Sequence, residues 1–91
     1  MAADRLRGIR KLFVEGVNTS VIKELLDSLC EDEIIKDCEK EMVTENTSVT
    51  RDQARCLIDM IIKKGDKASE KFLQALQKED PTLSTKIGLK Q

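Results

Sequence analysis

The chain has no histidine, tryptophan or tyrosine, and Phe13 and Phe72 are its only aromatic residues. Without an imidazole there is no side chain that titrates near neutrality to serve as a general base. Zinc would need carboxylates or a second chain, so no metal site and no cofactor are expected. Cys30, Cys38 and Cys56 are odd in number and form no C-x-x-C pair, which argues against a disulfide framework and for a reducing compartment. The shortage of aromatic faces, with a net charge of −1, disfavours nucleic-acid binding. There is one proline and no Asn-Gly dipeptide to mark a hairpin, so strands are not expected. No apolar run approaches the ~18–20 residues of a membrane span, and the opening MAADRLRGIR lacks the apolar stretch of a signal peptide. The expected location is cytoplasmic.

What is present is aliphatic and charged: 40% of the residues are hydrophobic and 36% are Asp, Glu, Lys or Arg. Ninety-one residues make one domain, 1–91, with a thin stability margin. Periodicity divides it into six helices. The first runs from an N-cap at Asp4 to about Glu15 and buries Leu6, Ile9, Phe13 and Val17; Gly8, costly in a helix interior, marks a bend. Asn18 or Thr19 caps the second, which buries Val21, Ile22, Leu25, Leu26 and Leu29. Ile34 and Ile35 anchor a short third helix to Glu45, with Cys38, Met42 and Val43 inward, and Asn46-Thr47-Ser48 is a turn.

The remaining helices are organised around the fourth, Val49 to Lys64. Its apolar stripe is Val49, Cys56, Leu57, Met60 and Ile61, and Thr50 with Gln53 has capping-box spacing. Lys63 and Lys64 suit the dipole at its end, and Gly65 stops it in a left-handed conformation. A fifth helix buries Ala68, Phe72, Leu73 and Leu76. Asp80-Pro81, an N-cap followed by proline at the first helical position, starts a short sixth helix that buries Leu83 and Ile87 and closes at Gly88. Short turns between helices imply an all-α, six-helix antiparallel bundle.

Charge is unevenly spread along this bundle. Residues 1–20 hold four bases and two acids, residues 24–45 nine acids and two bases, and residues 51–71 six bases and four acids. Complementary clusters on one small domain favour association between copies or relatives, although a solvated face explains any single cluster. Glu31, Asp32 and Glu33 follow the end of the second helix, where the dipole disfavours negative charge, and such local conflicts mark functional surfaces. No catalytic constellation emerges. Gln53-Ala54-Arg55-Cys56 holds the residues of a cysteine-protease signature in the wrong order, and no histidine exists to activate the thiol. The lone Gly65 beside Lys63 and Lys64 is no phosphate loop. The chain reads as a binding module.

Five stretches carry a family resemblance: Arg10-Lys11-Leu12-Phe13-Val14, Leu25-Leu26-Asp27-Ser28-Leu29, Glu45-Asn46-Thr47-Ser48-Val49, Ala54-Arg55-Cys56-Leu57-Ile58-Asp59 with Lys64-Gly65, and Glu79-Asp80-Pro81 with Ile87-Gly88-Leu89. In this order and spacing the chain resembles a caspase recruitment domain (CARD) over essentially its whole length. It is most similar to the prodomains of inflammatory caspases and to CARD-only proteins. The stretch from Cys30 to Glu45 is about one residue shorter than the family pattern, which leaves the register of helix three open.

The resemblance implies a death-fold six-helix bundle that binds other CARD proteins (an inflammatory caspase, an adaptor or sensor) and itself, head to tail. Such a contact does not close and builds helical filaments. It further implies a basic face of Arg10, Lys11 and Arg55, with Arg51 and Lys64 outlying, against an acidic face of Asp27, Glu31, Asp32 and Glu41. Asp59, one turn beyond Arg55, is the intrachain partner if Arg55 is merely salt-bridged. The implied function is recruitment of an inflammatory caspase into an assembly; the alternative is a decoy that caps growth. Binding of anionic lipid through the basic first helix is a further option, with only about four bases to support it. A chain that opens and closes at the domain's edges suits a short protein or an excised prodomain alike.

Overall fold

Asn18 separates the first two helices. In the computed structural model, which describes residues 2–45 and 48–88, its backbone is extended and its side-chain oxygen accepts the Val21 N–H at 2.9 Å. That bond satisfies one of the orphan donors at a helix start. The elements in order are α1 (Ala2–Gly16), α2 (Thr19–Glu31), α3 (Asp37–Glu45), α4 (Thr50–Lys64), α5 (Asp66–Glu79) and α6 (Pro81–Lys86), with no strand among the described residues. The fold is the expected six-helix bundle.

Helix α4 packs chiefly against α1 and α5, and α5 also packs against α2. The core is aliphatic, with one aromatic pair at its centre: Phe13 and Phe72 meet edge to face, ring centroids 5.2 Å apart and planes at 76°. This geometry sets the positive ring edge against the negative ring face. At the end of the bundle, α6 lies so close to α1 that a Cβ on Gly16 would come within 2.7 Å of Leu83 Cδ1. Asp80 caps α6 as expected, accepting the Leu83 N–H at 3.0 Å with Pro81 just inside the helix.

Several local expectations are corrected. Helix α1 passes through Gly8 without interruption and already begins at Ala2, so Asp4 lies within its first turn. The acceptor at its start is a distant one, Asp66 Oδ1, 3.0 Å from the Ala3 nitrogen. Val14 is buried, whereas Ile9 is only half-buried. The stripe of α4 is rotated: Ala54, Leu57, Ile58 and Ile61 are buried, Cys56 and Met60 flank them, and Val49 is 52% exposed. The Thr50–Gln53 capping box does not form. Thr50 is already helical, the Gln53 N–H goes to the Val49 carbonyl, and Thr50 Oγ1 meets Thr19 Oγ1 at 2.8 Å. Of the Asn46-Thr47-Ser48 turn, Asn46 and Thr47 lie outside the described residues, as does Leu89.

The largest correction concerns α3. Ile34 and Ile35 precede the helix and belong to the closure of α2. There the Ile34 N–H reaches the Leu29 carbonyl at 2.9 Å and the Glu33 N–H reaches the Cys30 carbonyl at 3.0 Å. This is a Schellman closure with Glu33, at φ 61°, where glycine is usual. Starting at Asp37 turns α3 so that Val43 is buried while Cys38 and Met42 face outward.

Candidate protein-interaction site

Four of the five candidate bases come together. Arg10 and Lys11 on α1 and Arg51 and Arg55 on α4 line one open depression of about 280 Å³, with Val14 and Glu15 completing it. The helices meet there because Phe13 and Val14 bury the adjacent face of α1 while Ala54 and Ile58 bury that of α4. Apolar packing thus fixes where the charges stand. Lys64 is elsewhere: at the far end of α4 its ammonium lies 2.9 Å from Glu39 Oε2 and ties α4 to α3.

Within the depression the bases differ. Arg10 is gripped by Asp59 of α4 through two bonds, Nε to Oδ1 at 2.7 Å and Nη2 to Oδ2 at 3.0 Å. This bidentate fork links α1 to α4, and its hydrogen bonds, followed by the carboxylate charge, raise the Arg10 pKa. Asp59 is therefore not the partner of Arg55, whose Nη1 instead meets Asp52 Oδ1 one turn earlier at 2.7 Å. Lys11 and Arg51 are exposed and form no ion pair with any described residue.

The candidate acids divide in three. Asp27 on α2 pairs with Lys40 on α3, a bond that raises the lysine's pKa. Glu31 and Asp32, at the end of α2, line a second depression of about 190 Å³ with Ser28 and with Lys71, Gln74, Ala75 and Lys78 of α5. Glu41 is exposed on α3 and lines neither depression. The two depressions share no helix, and in the second Glu31 and Asp32 stand beside the lysines Lys71 and Lys78.

Two features escaped the sequence reading. One is a third, mostly apolar groove of about 310 Å³ between α3 and α4, lined by Met42, Cys56, Asp59, Met60 and Lys63. Its signal was the pair of methionines on helices that were each expected to bury one. The other is Glu39, whose carboxylate accepts the Lys36 N–H at 2.9 Å as well as the Lys64 ammonium, in that order the main causes of its lowered pKa. Burial raises the pKa of the Cys56 and Cys30 thiols, which holds both in the poorly nucleophilic form. Among the described residues no group of side chains could hold a metal ion, and no helix is long and apolar enough to cross a membrane.

Comparisons with known proteins identify the family of the fold. The profile of the caspase recruitment domain matches residues 3–90. Human caspase recruitment domain-containing protein 18 is 40% identical over 89 residues, covering 98% of this chain and 99% of the relative. Caspase-1-A of Xenopus laevis is 36% identical over 85 residues, and there the chain spans only 22% of the relative's length. The solution structure of ICEBERG, an inhibitor of interleukin-1β generation, matches with a TM-score of 0.85 at 40% identity, over 93% of this chain and 96% of that one. The chain belongs to the caspase recruitment domain family and is a non-catalytic interaction module.

Proposed function

We propose that this domain engages other caspase recruitment domains, those of inflammatory caspases among them, and copies of itself through a head-to-tail contact. The depression formed by Arg10, Lys11, Arg51 and Arg55 receives the acidic surface of Asp27, Glu31 and Asp32 on the next molecule, with Glu41 and Lys64 outside the main contact. The observation that carries this reading is the convergence on one open depression of four bases from two helices, Arg10 and Lys11 lying 40 or more residues from Arg51 and Arg55 in the chain. Because each molecule keeps one basic and one acidic surface, the contact propagates into a helical assembly in the cytoplasm. Opposite potentials also speed encounter.

The test is a pelleting assay with negative-stain microscopy on the purified domain, alone and with seeds of the caspase-1 recruitment domain. Arg55→Glu is expected to weaken assembly by about 2–5 kcal/mol, the range for breaking a buried hydrogen-bonded charge pair, with unchanged helical content. Salt is expected to oppose assembly, since the Debye length falls from ~10 Å at 0.1 M to ~3 Å at 1 M. Intact assembly by a folded Arg55→Glu variant refutes the face. Likeness to ICEBERG, an inhibitor, favours a second reading in which the domain occupies seed ends and stops their growth. A soluble domain that binds seeds and halts them identifies that behaviour.

A further inference from the structure

Two of the three arginines of the basic depression, Arg10 and Arg55, are already bound to carboxylates of their own chain, whereas Lys11 and Arg51 beside them form no ion pair with any described residue. We propose that Asp52 and Asp59 are internal competitors for this face: they hold Arg55 and Arg10 in intrachain pairs that a partner's carboxylates must displace. The inference rests on the assembly reading above and specifies how that site is restrained.

The two pairs differ in what else they do. Arg10–Asp59 is bidentate and joins α1 to α4, so it also supports the fold. Arg55–Asp52 lies within one helix at a spacing of three residues, with both side chains about half exposed (48% and 51%), and holds no two elements together. Its chief consequence is electrostatic. Asp52 places a negative charge 2.7 Å from the guanidinium that faces the depression, and occupies a donor that a partner would use. An incoming acidic surface therefore meets Lys11 and Arg51 first, and Arg55 joins only by exchanging one carboxylate for another. Each exchange removes from the binding free energy what the intrachain pair was worth.

Asp52→Asn keeps the size of the side chain and removes its charge. Exposed ion pairs are worth ~0.2–1 kcal/mol, so the variant is expected to bind caspase-1 recruitment-domain filaments ~1.5- to 5-fold more tightly. Asp4→Asn is the control. It removes the same charge from a pair of the same spacing, Arg7–Asp4 at 2.9 Å, outside the depression. Labelled domain titrated with those filaments at 0.1 M salt gives the apparent Kd, and thermal unfolding confirms that each variant is folded. A tighter Kd for Asp52→Asn and an unchanged one for Asp4→Asn supports the proposal. An unchanged or weaker Asp52→Asn overturns it, as does an equal gain from both variants, which reports net charge alone. Arg55→Glu separates the two readings: loss of binding there with a silent Asp52→Asn overturns only the competitor role, while a silent Arg55→Glu removes the assembly face and the competitor role together.

Discussion

Replacing Glu39 is expected to loosen the attachment of α3 to the bundle. Of the nine residues of α3 only Val43 is buried, so little apolar area holds it to the bundle. Glu39 supplies two other attachments, an oxygen for the Lys36 N–H ahead of the helix and one for the Lys64 ammonium on α4, both at 2.9 Å. A side chain that satisfies a backbone donor at a helix start contributes about 1 kcal/mol. The partly exposed ion pair adds at most about 1 kcal/mol. Glu39→Ala is therefore expected to cost roughly 1.5–2 kcal/mol, a fall in Tm of roughly 6–15 °C for a domain of this size. Glu39→Gln retains an oxygen for Lys36 and is expected to lose about half as much. The pH dependence has a definite sign. The folded pKa of Glu39 is lowered, chiefly by the Lys36 N–H and then by Lys64, so its contribution is complete above the unfolded value of about 4.3 and is lost as pH falls through the lower folded value. Thermal unfolding followed by circular dichroism is expected to show a constant gap between wild type and Glu39→Gln from pH 7 to about pH 5, closing on further acidification. A Glu39→Ala variant within about 0.5 kcal/mol of wild type, or a gap that widens in acid, refutes the reasoning.

Two further outcomes test the fold. Glu33 sits at φ 61°, a conformation that costs a side chain about 1–2 kcal/mol, of which glycine's greater loss of freedom on folding offsets about half. Glu33→Gly is thus expected to stabilise the domain by about 0.5–1 kcal/mol, read as a higher urea midpoint at an unchanged slope. For the Phe13–Phe72 pair, a double-mutant cycle with leucine is expected to give a coupling of about 0.5–1.5 kcal/mol beyond lost area; additivity within about 0.3 kcal/mol would contradict the edge-to-face contact.

The physics explains which features were legible in the residues. Where an apolar stripe is sharply bounded by polar positions, as in α2 and α5, the buried face follows from periodicity alone. Local signals such as Asn18 and Asp80-Pro81 work because their hydrogen bonds close within three residues. The face of α4 was harder, since Cys56, Leu57, Ile58, Met60, Ile61 and Ile62 leave almost every direction apolar at that end. Only packing against α1 and α5 decides which of them go inside. In α3 the error was one of register: Ile34 and Ile35 are apolar, as an amphipathic helix needs, yet Glu33 turns the chain before they are reached. The candidate site followed the same division. Which bases stand on α1 and α4 was evident, but their partners were not, because Arg10 and Asp59 are 49 residues apart and Arg55 turns back three residues to Asp52 rather than forward four to Asp59.

The joint between α4 and α5 has a mechanical consequence. Gly65 alone connects them, ending one helix and opening the next at φ 105°, ψ −170°, a conformation open essentially to glycine only. Such a joint has no slack. Force applied to Arg51 or Arg55 passes down α4 and through a single residue into α5, the helix that carries Phe72. A pull on the outer surface is therefore felt at the aromatic centre of the core rather than absorbed in a flexible connection. Lengthening this joint by a few residues would remove that direct backbone link and leave the side-chain packing of α4 against α5 to carry the load alone.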